Sequence, residues 1–403
     1  MKKILLSAFA CAPGKGSEEG GGWNWATELA KLGYEVHCIT RSASRQDIET
    51  TPPVPNLHFY YVEVPIVNTN LNRMGLFIYP YYLSWQYLAY KKAKKLHSVL
   101  KFDIAHHVSW GSTQMGSWMY KLNIPFIFGP AGGGQHAPVA FKKYFGDKWA
   151  EEEKREKVSN ILVKFNPACK TMLRKAHTVL VPNTDTMDLV KSIGAKNVGL
   201  SFDAALPDTF FPKTFKPKAP ASGTLNLLWV GRFMPRKGLI LTLDVMRELR
   251  ETHPNIKLTV VGYGELEDQI KTYIEQNQLQ NTVTLTGKVP YQQVRDYYES
   301  HDIFFFTSLR DSGPAQVLEA FAFGMPIVTI KLHGQAILVS DETGIRCSVD
   351  SPEKTIAELK DALIYLYDNP QKVTEMSYAA MKFGRTQAWP EKIAGITRNY
   401  YPQ

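Results

Sequence analysis

Cysteine is scarce in this sequence, and the few that occur are widely separated. The four are Cys11, Cys38, Cys169 and Cys347, and no two of them form a C-x-x-C pair. Zinc-finger sites and disulfide frameworks both require clustered cysteines, so the sequence favours neither. We therefore expect a reduced, cytoplasmic setting for this chain.

Other absences narrow the class of protein further. The sequence contains no RNP motif, zinc-finger spacing, helix-turn-helix signal, P-loop or internal repeat, and its hydrophobic share of 44% is that of a soluble globular protein. Its net charge of +9 would suit nucleic acid, an anionic membrane or a phosphorylated substrate. Because no nucleic-acid-binding motif is present, we expect no nucleic-acid partner.

The opening stretch MKKILLSAFACAPGKGSEEGGG permits two interpretations. It resembles a short secretory signal peptide, but it could also be a buried strand that enters a glycine-rich turn. A helix-compatible stretch from Trp23 to Leu32 and the β-rich YEVHCIT follow, so the strand interpretation completes a βαβ unit and is favoured. Gly20, Gly21 and Gly22 would then stand where a helix begins and could bring backbone N–H groups to an anion. A plain tight turn is the alternative.

Strands and helices alternate along the rest of the chain, which predicts an α/β protein. Its 403 residues are too many for one ordinary core, and the prolines at 207, 212, 217 and 220 mark a linker. The sequence therefore predicts two Rossmann-like domains that face each other across a ligand-binding cleft. The expected parts are an N-terminal domain at 1–205, a linker at 206–223, a C-terminal domain at 224–385 and a terminal helix at 386–403 that crosses back to the N-terminal domain.

The segment SLRDSGPAQVLEAFAFGMPIV carries two carboxylates eight positions apart, Asp311 and Glu319. Gly313 and Pro314 form a turn that starts a helix, so Asp311 lies on the loop and Glu319 on the helix. Carboxylates accept hydrogen bonds from hydroxyl groups, so this pair can hold a ribose and a sugar. Solvated surface acids at the same spacing are the alternative.

The loop VGRFMPRKG follows the first strand of the expected C-terminal domain and carries Arg232 and Lys237. A guanidinium can fork onto phosphate oxygens and an ammonium supplies a point charge, so the two can balance a diphosphate. A solvated loop is the alternative. The chain has no D-x-D triplet to hold a divalent ion beside a diphosphate, so we expect no metal cofactor.

Together these segments resemble family 4 glycosyltransferases, which have the GT-B fold. The resemblance rests on GRFMPRKG, HPNIKLTVVGYGE, the Asp311 to Glu319 span followed by AFAFGMPIV, the glycines before ATELAKLGYEV, and the terminal AWPEKIAGITRNYY. It implies a retaining enzyme that moves a sugar from a nucleotide diphosphate donor to a hydroxyl acceptor. A surface polysaccharide or a lipid-linked glycan is the expected product.

The resemblance also implies roles for individual residues. Arg232 and Lys237 would bind the donor diphosphate, Glu319 the ribose and Asp311 the transferred sugar. The whole donor-binding set comprises Gly20, Gly21, Arg232, Lys237, Gly313, Pro314 and Glu319. Gly20 and Gly21 would approach the phosphate from across the cleft.

Two positions depart from the family pattern. Asp311 replaces the first glutamate of E-x7-E and is one methylene shorter. Ala131 stands where many members carry a histidine, after the strand that matches PFIFG. His107 and His136 are candidates to replace it, although a lone histidine is often structural. The catalytic set is therefore expected to include His107 with Asp311, Arg232 and Lys237.

Three other functions fit parts of the sequence. GYGELE follows a strand as in nicotinamide dehydrogenases, but Glu267 would crowd the pyrophosphate turn of that fingerprint. A nucleotide-sugar epimerase on a similar fold is the nearer alternative. A catalytically silent nucleotide-sugar binding protein is the third.

The stretch from Met74 to Tyr90 is aromatic and apolar, but Gly75, Pro80 and Ser84 interrupt it. Lysines at 91, 92, 94 and 95 follow directly. The pattern is typical either of an interfacial segment at the inner face of a membrane or of an internal helix with a solvated basic end. The expected partners are a nucleotide-sugar donor, a glycan or lipid-linked acceptor and, in the first case, an anionic membrane surface.

Overall fold

A computed structural model describes residues 1–65 and 77–402, and these residues form two compact units. Unit 1 comprises Met1–Gly134, Lys157–Ala205 and Trp389–Gln403. Unit 2 comprises Gln135–Glu156 and Leu206–Ala388. Each unit contains one parallel sheet with helices, so the predicted α/β class is confirmed.

The sheet of unit 1 has the strand order β3-β2-β1-β4-β5-β6-β7. Its strands are β1 (Lys3–Ala8), β2 (Glu35–Arg41), β3 (Leu57–Val62), β4 (Ile104–Ser109), β5 (Phe126–Phe128), β6 (Thr178–Val181) and β7 (Val198–Leu200). Along β1, Leu5 belongs to one apolar core whereas Ile4 and Leu6 belong to another. The sheet is therefore buried on both faces, which explains its continuous apolar runs. The opening stretch of the chain forms a central strand, as the favoured interpretation predicts.

The sheet of unit 2 has the order β10-β9-β8-β11-β12-β13. Its strands are β8 (Leu225–Val230), β9 (Ile256–Val261), β10 (Val283–Gly287), β11 (Ile303–Phe306), β12 (Ile327–Ile330) and β13 (Gly344–Cys347). All described pairings in this sheet are parallel. Buried Trp229 and Phe305 anchor its core from neighbouring strands.

The last three helices of the chain follow β13, and the helices before them lie between strands. They are α1 (Ser17–Lys31), α2 (Arg45–Glu49), α3 (Ile78–Leu100), α4 (Trp149–Phe165), α5 (Pro167–Lys175), α6 (Thr184–Ile193), α7 (Leu239–Leu249), α8 (Glu267–Gln276), α9 (Tyr291–Ser300), α10 (Ala315–Ala322), α11 (His333–Leu338), α12 (Pro352–Asp368), α13 (Pro370–Thr386) and α14 (Trp389–Tyr400). Within the described residues, none is both long and apolar enough to cross a membrane. Residues 74–76 of the aromatic run lie outside the described part of the chain.

One segment departs from the expected domain boundaries. Residues 135–156 fall inside the expected N-terminal domain, but they belong to unit 2. The reason is packing: Phe141 and Phe145 lie in the same apolar core as Trp229. The Tyr144 hydroxyl also donates a hydrogen bond of 2.7 Å to the Asp244 carboxylate.

The last helix, α14, belongs to unit 1. The Lys392 ammonium donates to the carbonyl oxygens of Phe202 and Ala204, each at 2.5 Å. The Tyr401 hydroxyl lies 2.7 Å from Nδ1 of buried His106. These contacts join the end of the chain to residues that are distant in sequence.

Candidate functional site

The candidate site of unit 2 lies at the carboxyl ends of β8 and β11. These two neighbouring strands stand where the strand order changes direction, and loops that leave such a point diverge and open a crevice. The loop after β8 holds Arg232 and Lys237, and the loop after β11 holds Asp311. The fold thus brings together the two segments to which the sequence assigns the donor.

Gly238 holds the two loops in contact. It ends the turn Pro235–Lys237 in the left-handed region, with φ of 67°. A Cβ at this position would stand 2.1 Å from the carbonyl oxygen of Thr307, at the end of β11. Both the backbone conformation and the close approach therefore require glycine here.

Lys237 is buried, with 6% of its surface exposed, and its ammonium donates a hydrogen bond to the Asp311 carboxylate. The same ammonium lies 5.4 Å from the ring centre of Phe306. Burial lowers the pKa of Lys237, and the charge of Asp311 opposes that shift. The site therefore presents a cation that is fixed in position by its counterion.

The Asp311 carboxylate also contacts Arg236 and Ser308. Its Oδ2 atom lies 3.7 Å from the Arg236 guanidinium and accepts a hydrogen bond of 3.4 Å from the Ser308 hydroxyl. The Ser308 hydroxyl also lies 3.0 Å from the carbonyl oxygen of Arg236. Sequence reasoning missed Arg236 and Ser308, although both lie within the two segments that it selected.

Glu319 lies on α10 with 8% of its surface exposed. Its carboxylate accepts hydrogen bonds from the Tyr298 hydroxyl at 2.8 Å and the Tyr291 hydroxyl at 2.9 Å. Burial raises the pKa of Glu319, and the two tyrosine hydrogen bonds oppose that shift. The tyrosines stand seven positions apart on α9, a spacing that places both on one helix face and that could have identified them.

Arg232 and the Gly313–Pro314 turn complete the expected donor set in unit 2. Arg232 is exposed and forms no ion pair with any residue in the described ranges 1–65 and 77–402. Pro314 is the N-cap residue of α10 and precedes its first turn. Arg232 is accessible to a ligand, whereas Pro314 is buried and has no backbone N–H to donate.

The glycines of unit 1 do not form the loop that the sequence predicts. Helix α1 begins at Ser17, so Gly20, Gly21 and Gly22 lie within its first two turns. A Cβ on Gly20 would stand 2.1 Å from the Lys15 carbonyl oxygen, and one on Gly22 would stand 2.0 Å from that of Ala10. Both glycines allow the preceding loop to pack on the helix. Gly21 has no atom within 4 Å of its Cβ position, so it alone leaves open space.

Two carboxylates occupy the first turn of α1. Glu18 accepts a hydrogen bond of 2.9 Å from the backbone N–H of Trp110, and Glu19 lies 3.2 Å from the Arg41 guanidinium. Acidic side chains are favourable at a helix N-terminus, but they compete there with an anionic ligand. The start of α1 therefore already carries two acidic side chains.

The two candidate histidines occupy different settings. His107 is completely buried in β4, with its ring nitrogens 3.0 Å from the Ser7 hydroxyl and 3.1 Å from the Tyr82 hydroxyl. Burial lowers the pKa of His107 to about 3, so it stays neutral at physiological pH. His136 is exposed, and its Nδ1 atom lies 3.2 Å from the Glu156 carboxylate. His107 therefore has the environment of a core histidine of unit 1.

Comparison with known proteins identifies the second half of the chain. Residues 210–383 match the family model described as glycosyl transferases group 1. That range contains Arg232, Lys237, Asp311 and Glu319 together with the loops that carry them. The match does not favour a dehydrogenase or an epimerase.

Individual relatives agree with this match. The chain is 33% identical over 116 residues to an amylovoran biosynthesis glycosyltransferase of Erwinia amylovora, covering 27% of this chain and 28% of the relative. The chain spans less than half the length of the first curated relatives that it matches. It is 25% identical to a D-inositol 3-phosphate glycosyltransferase of Arthrobacter sp., over 96% of this chain and 91% of that protein.

A solved structure shares the fold. Sucrose-phosphate synthase of Thermosynechococcus elongatus superposes with a TM-score of 0.66 at 16% identity, covering 99% of this chain and 98% of that one. At this identity, the likeness concerns the fold alone.

Replacing single glycines of α1 separates packing from ligand binding. We expect Gly22→Ala to lower the free energy of unfolding by about 1–3 kcal/mol, because its Cβ would displace backbone. Gly21→Ala has open space and should keep or slightly raise stability, by up to about 1 kcal/mol. If Gly21 faces a donor phosphate, the same variant should lose activity. Urea denaturation and turnover assays measure both effects.

Gly395 on α14 is the matched control, because its Cβ position also has no atom within 4 Å. Gly395→Ala should leave both stability and activity close to wild type. An active Gly21→Ala variant would contradict the assignment of Gly21 to the donor site.

Proposed function

We propose that this chain is a family 4-like glycosyltransferase that transfers a sugar from a nucleotide diphosphate donor to a hydroxyl of a glycan or lipid-linked acceptor. The match of residues 210–383 to the group 1 glycosyl transferase model and the fold shared with sucrose-phosphate synthase support this proposal. The observation that carries the proposal is the buried Lys237 ammonium, which Asp311 fixes at the carboxyl ends of β8 and β11. A fixed cation on the same loop as an exposed arginine, Arg232, suits a diphosphate. Polysaccharide or glycolipid synthesis is the biosynthetic setting that the relatives' names support.

Glu319 is the proposed ribose ligand. Each of its carboxylate oxygens accepts one tyrosine hydrogen bond and retains capacity for another, because a carboxylate offers about four acceptor positions. The tyrosine hydroxyls therefore hold the carboxylate in place and leave it able to accept from ribose hydroxyls. The Gly313–Pro314 turn lies just before the helix that carries it.

Asp311 is the proposed sugar ligand. Its pairing with Lys237 couples binding of the donor phosphate to binding of the sugar. A donor phosphate that binds Lys237 shares this ammonium with Asp311, which leaves the carboxylate freer to accept from a sugar hydroxyl. Arg236 lies near the same carboxylate and can retain part of the charge balance.

In the proposed retaining transfer, the bond from the anomeric carbon to the donor phosphate oxygen breaks, and a bond to the acceptor oxygen forms on the same face of the sugar. The acceptor proton passes to the departing phosphate, so no side-chain base is required. Arg232 and Lys237 stabilise the negative charge that grows on that phosphate. This scheme suits a site in which Ala131 replaces the family histidine.

Charge-removing variants test the donor site. Glu319→Gln should weaken binding of both the bare nucleotide diphosphate and the sugar donor by about 1.5–3 kcal/mol, because two charge-assisted hydrogen bonds are lost. Asp311→Asn should bind the bare nucleotide diphosphate equally well or more tightly, since Lys237 loses its competing partner, while transfer falls sharply. Calorimetry and transfer assays measure these outcomes.

Glu358 offers a matched control, because its carboxylate accepts from the Ser348 backbone N–H at 2.6 Å and the Ser348 hydroxyl at 2.8 Å. Glu358→Gln should leave nucleotide binding unchanged. Wild-type nucleotide affinity in Glu319→Gln, or undiminished transfer in Asp311→Asn, would refute the assigned roles.

We also expect transfer without a divalent ion. The proposed diphosphate ligands are cations, and the sequence has no D-x-D triplet. Turnover should therefore be unchanged by EDTA under conditions in which the protein stays folded. Loss of turnover with chelator, restored by manganese, would refute the metal-free scheme.

A peripheral membrane contact is part of the proposal. Exposed apolar side chains of unit 1 support it, and they lie on α3 and on the part of α4 from residue 157 onward. On α3 and its N-cap, Phe77, Tyr79, Leu83 and Tyr87 are each at least 41% exposed. Exposed lysines follow at 91, 92, 94 and 95. Anionic headgroups attract such lysines by about 1 kcal/mol each near the surface.

Helix α4 adds a second apolar stripe that sequence reasoning missed. Val158, Ile161, Leu162 and Phe165 are 40–68% exposed and stand at helical i, i+3, i+4 and i+7 spacing. Lysines at 154, 157 and 164 are also exposed. Apolar side chains among lysines favour an anionic membrane as the occupant of this surface.

Liposome co-sedimentation tests this contact. Binding should rise with anionic lipid and fall with salt, and Leu83→Asp with Ile161→Asp should weaken it by about tenfold, because each change removes apolar area from the bilayer interface. Tyr378→Asp is the control, since Tyr378 is 57% exposed in unit 2. Equal pelleting with neutral and anionic vesicles would refute the proposal.

A further inference from the structure

Three side chains with metal-binding atoms meet at the amino ends of β2 and β3. Glu35 and His37 stand two positions apart on β2, so they project from the same face of the sheet. His58 is the direct neighbour of His37 in the parallel register between the strands. The fold thus places two imidazoles and one carboxylate on one face of the edge strand pair.

The distances within this cluster approach those of a metal centre. Nε2 of His37 lies 2.9 Å from Oε1 of Glu35, and the rings of His37 and His58 are 4.8 Å apart between centroids. One ligand atom from each residue lies within 4.8 Å of the others. Two ligands of one zinc ion are about 3.3 Å apart, given Zn–N lengths of about 2.0–2.1 Å in a tetrahedral site. His58 is exposed, so rotation of its side chain can close the remaining gap.

The other ring nitrogen of His37 already has a hydrogen-bond partner. Its Nδ1 lies 3.1 Å from the Tyr60 hydroxyl, which also projects from β3. Metal-binding histidines usually engage their other ring nitrogen in such a hydrogen bond, which fixes the ring and the tautomer. His37 itself is 3% exposed and is packed against Phe102, so its ring has little freedom.

We propose that Glu35, His37 and His58 bind one divalent cation of the zinc class, with water in the remaining position. Two imidazoles and a carboxylate are a ligand set that zinc accepts. A bound ion would connect the edge strand β3 to β2 and so stabilise unit 1. Nothing in this proposal depends on the transfer reaction.

One neighbour works against the ion. The Lys3 ammonium lies 3.5 Å from Oε1 of Glu35 and would compete with a cation for that oxygen. Lys3 is partly exposed, so its side chain can move into solvent when an ion binds. Replacing Lys3 with a neutral residue should therefore increase the affinity of the cluster for a cation.

The cluster is remote along the strands from the candidate donor-facing residue of unit 1. Glu35 begins β2, whereas Gly21 follows the carboxyl end of β1, and these strands are parallel. The metal cluster thus lies at the amino ends of the strands, whereas Gly21 follows the carboxyl end of β1. We expect it to affect stability and not the chemistry of transfer.

Calorimetry with zinc chloride on tag-free, metal-stripped, full-length protein tests the proposal. Wild type should bind one zinc ion per chain, and a hundredfold excess over Kd should raise the unfolding midpoint by about 5 °C. His58→Ala and Glu35→Gln should each weaken binding by at least about tenfold, and Lys3→Gln should strengthen it. Cobalt can replace zinc to give a visible absorption spectrum that depends on His58.

His136→Ala is the matched control, because His136 is also an exposed histidine beside a carboxylate, that of Glu156, but lies in unit 2. It should bind zinc like wild type. Circular dichroism of the metal-free variants establishes that they fold, and exposed His58 is the substitution least able to disturb the core. Absence of zinc binding by wild type, or wild-type affinity in His58→Ala, would overturn the proposal.

Discussion

The buried ion pair between Lys237 and Asp311 is the interaction on which the arrangement of the unit 2 site depends. An ammonium removed from water must be paired, and breaking such a pair leaves an uncompensated charge at a cost of about 3–5 kcal/mol. Because Lys237 follows β8 and Asp311 follows β11, their pairing joins the two loops at the point where the strand order reverses. Gly238 makes that junction possible by allowing the backbone to approach Thr307.

The sequence predicted the strands well because both sheets are buried on both faces. Strands such as Ile303–Phe306 are then short, continuous apolar runs between polar segments, which local reading detects. Strands β7 and β13 are not apparent from the sequence, because each is partly exposed and so lacks a continuous apolar run. Helix α1 starts earlier than expected because its glycines have poor intrinsic helix propensity, and tertiary packing against residues 10–15 overrides that preference.

The site could be predicted only where its residues are close in sequence. Lys237 and the pair Asp311 and Glu319 lie in two local motifs, and the parallel sheet brings those motifs together. The contacts of Tyr291 and Tyr298 with Glu319 depend on the rotation of α9 against α10, which no local motif encodes. The environment of His107 likewise depends on which residues cover β4, so a histidine in the sequence does not reveal whether it is buried.

The chain passes from one unit to the other at four places: after Gly134, Glu156, Ala205 and Ala388. Neither unit is therefore a continuous stretch of sequence. A fragment cut to residues 206–388 would contain the whole group 1 match but would lack the segment that supplies Phe141 and Phe145 to its core and the Tyr144 hydroxyl to Asp244. Such a fragment would expose apolar surface and would lose one of the hydrogen bonds to Asp244, while that of the Tyr273 hydroxyl remains. An exchange of sequence between relatives must therefore carry residues 135–156 along with residues 206–388 to preserve the complete core of unit 2.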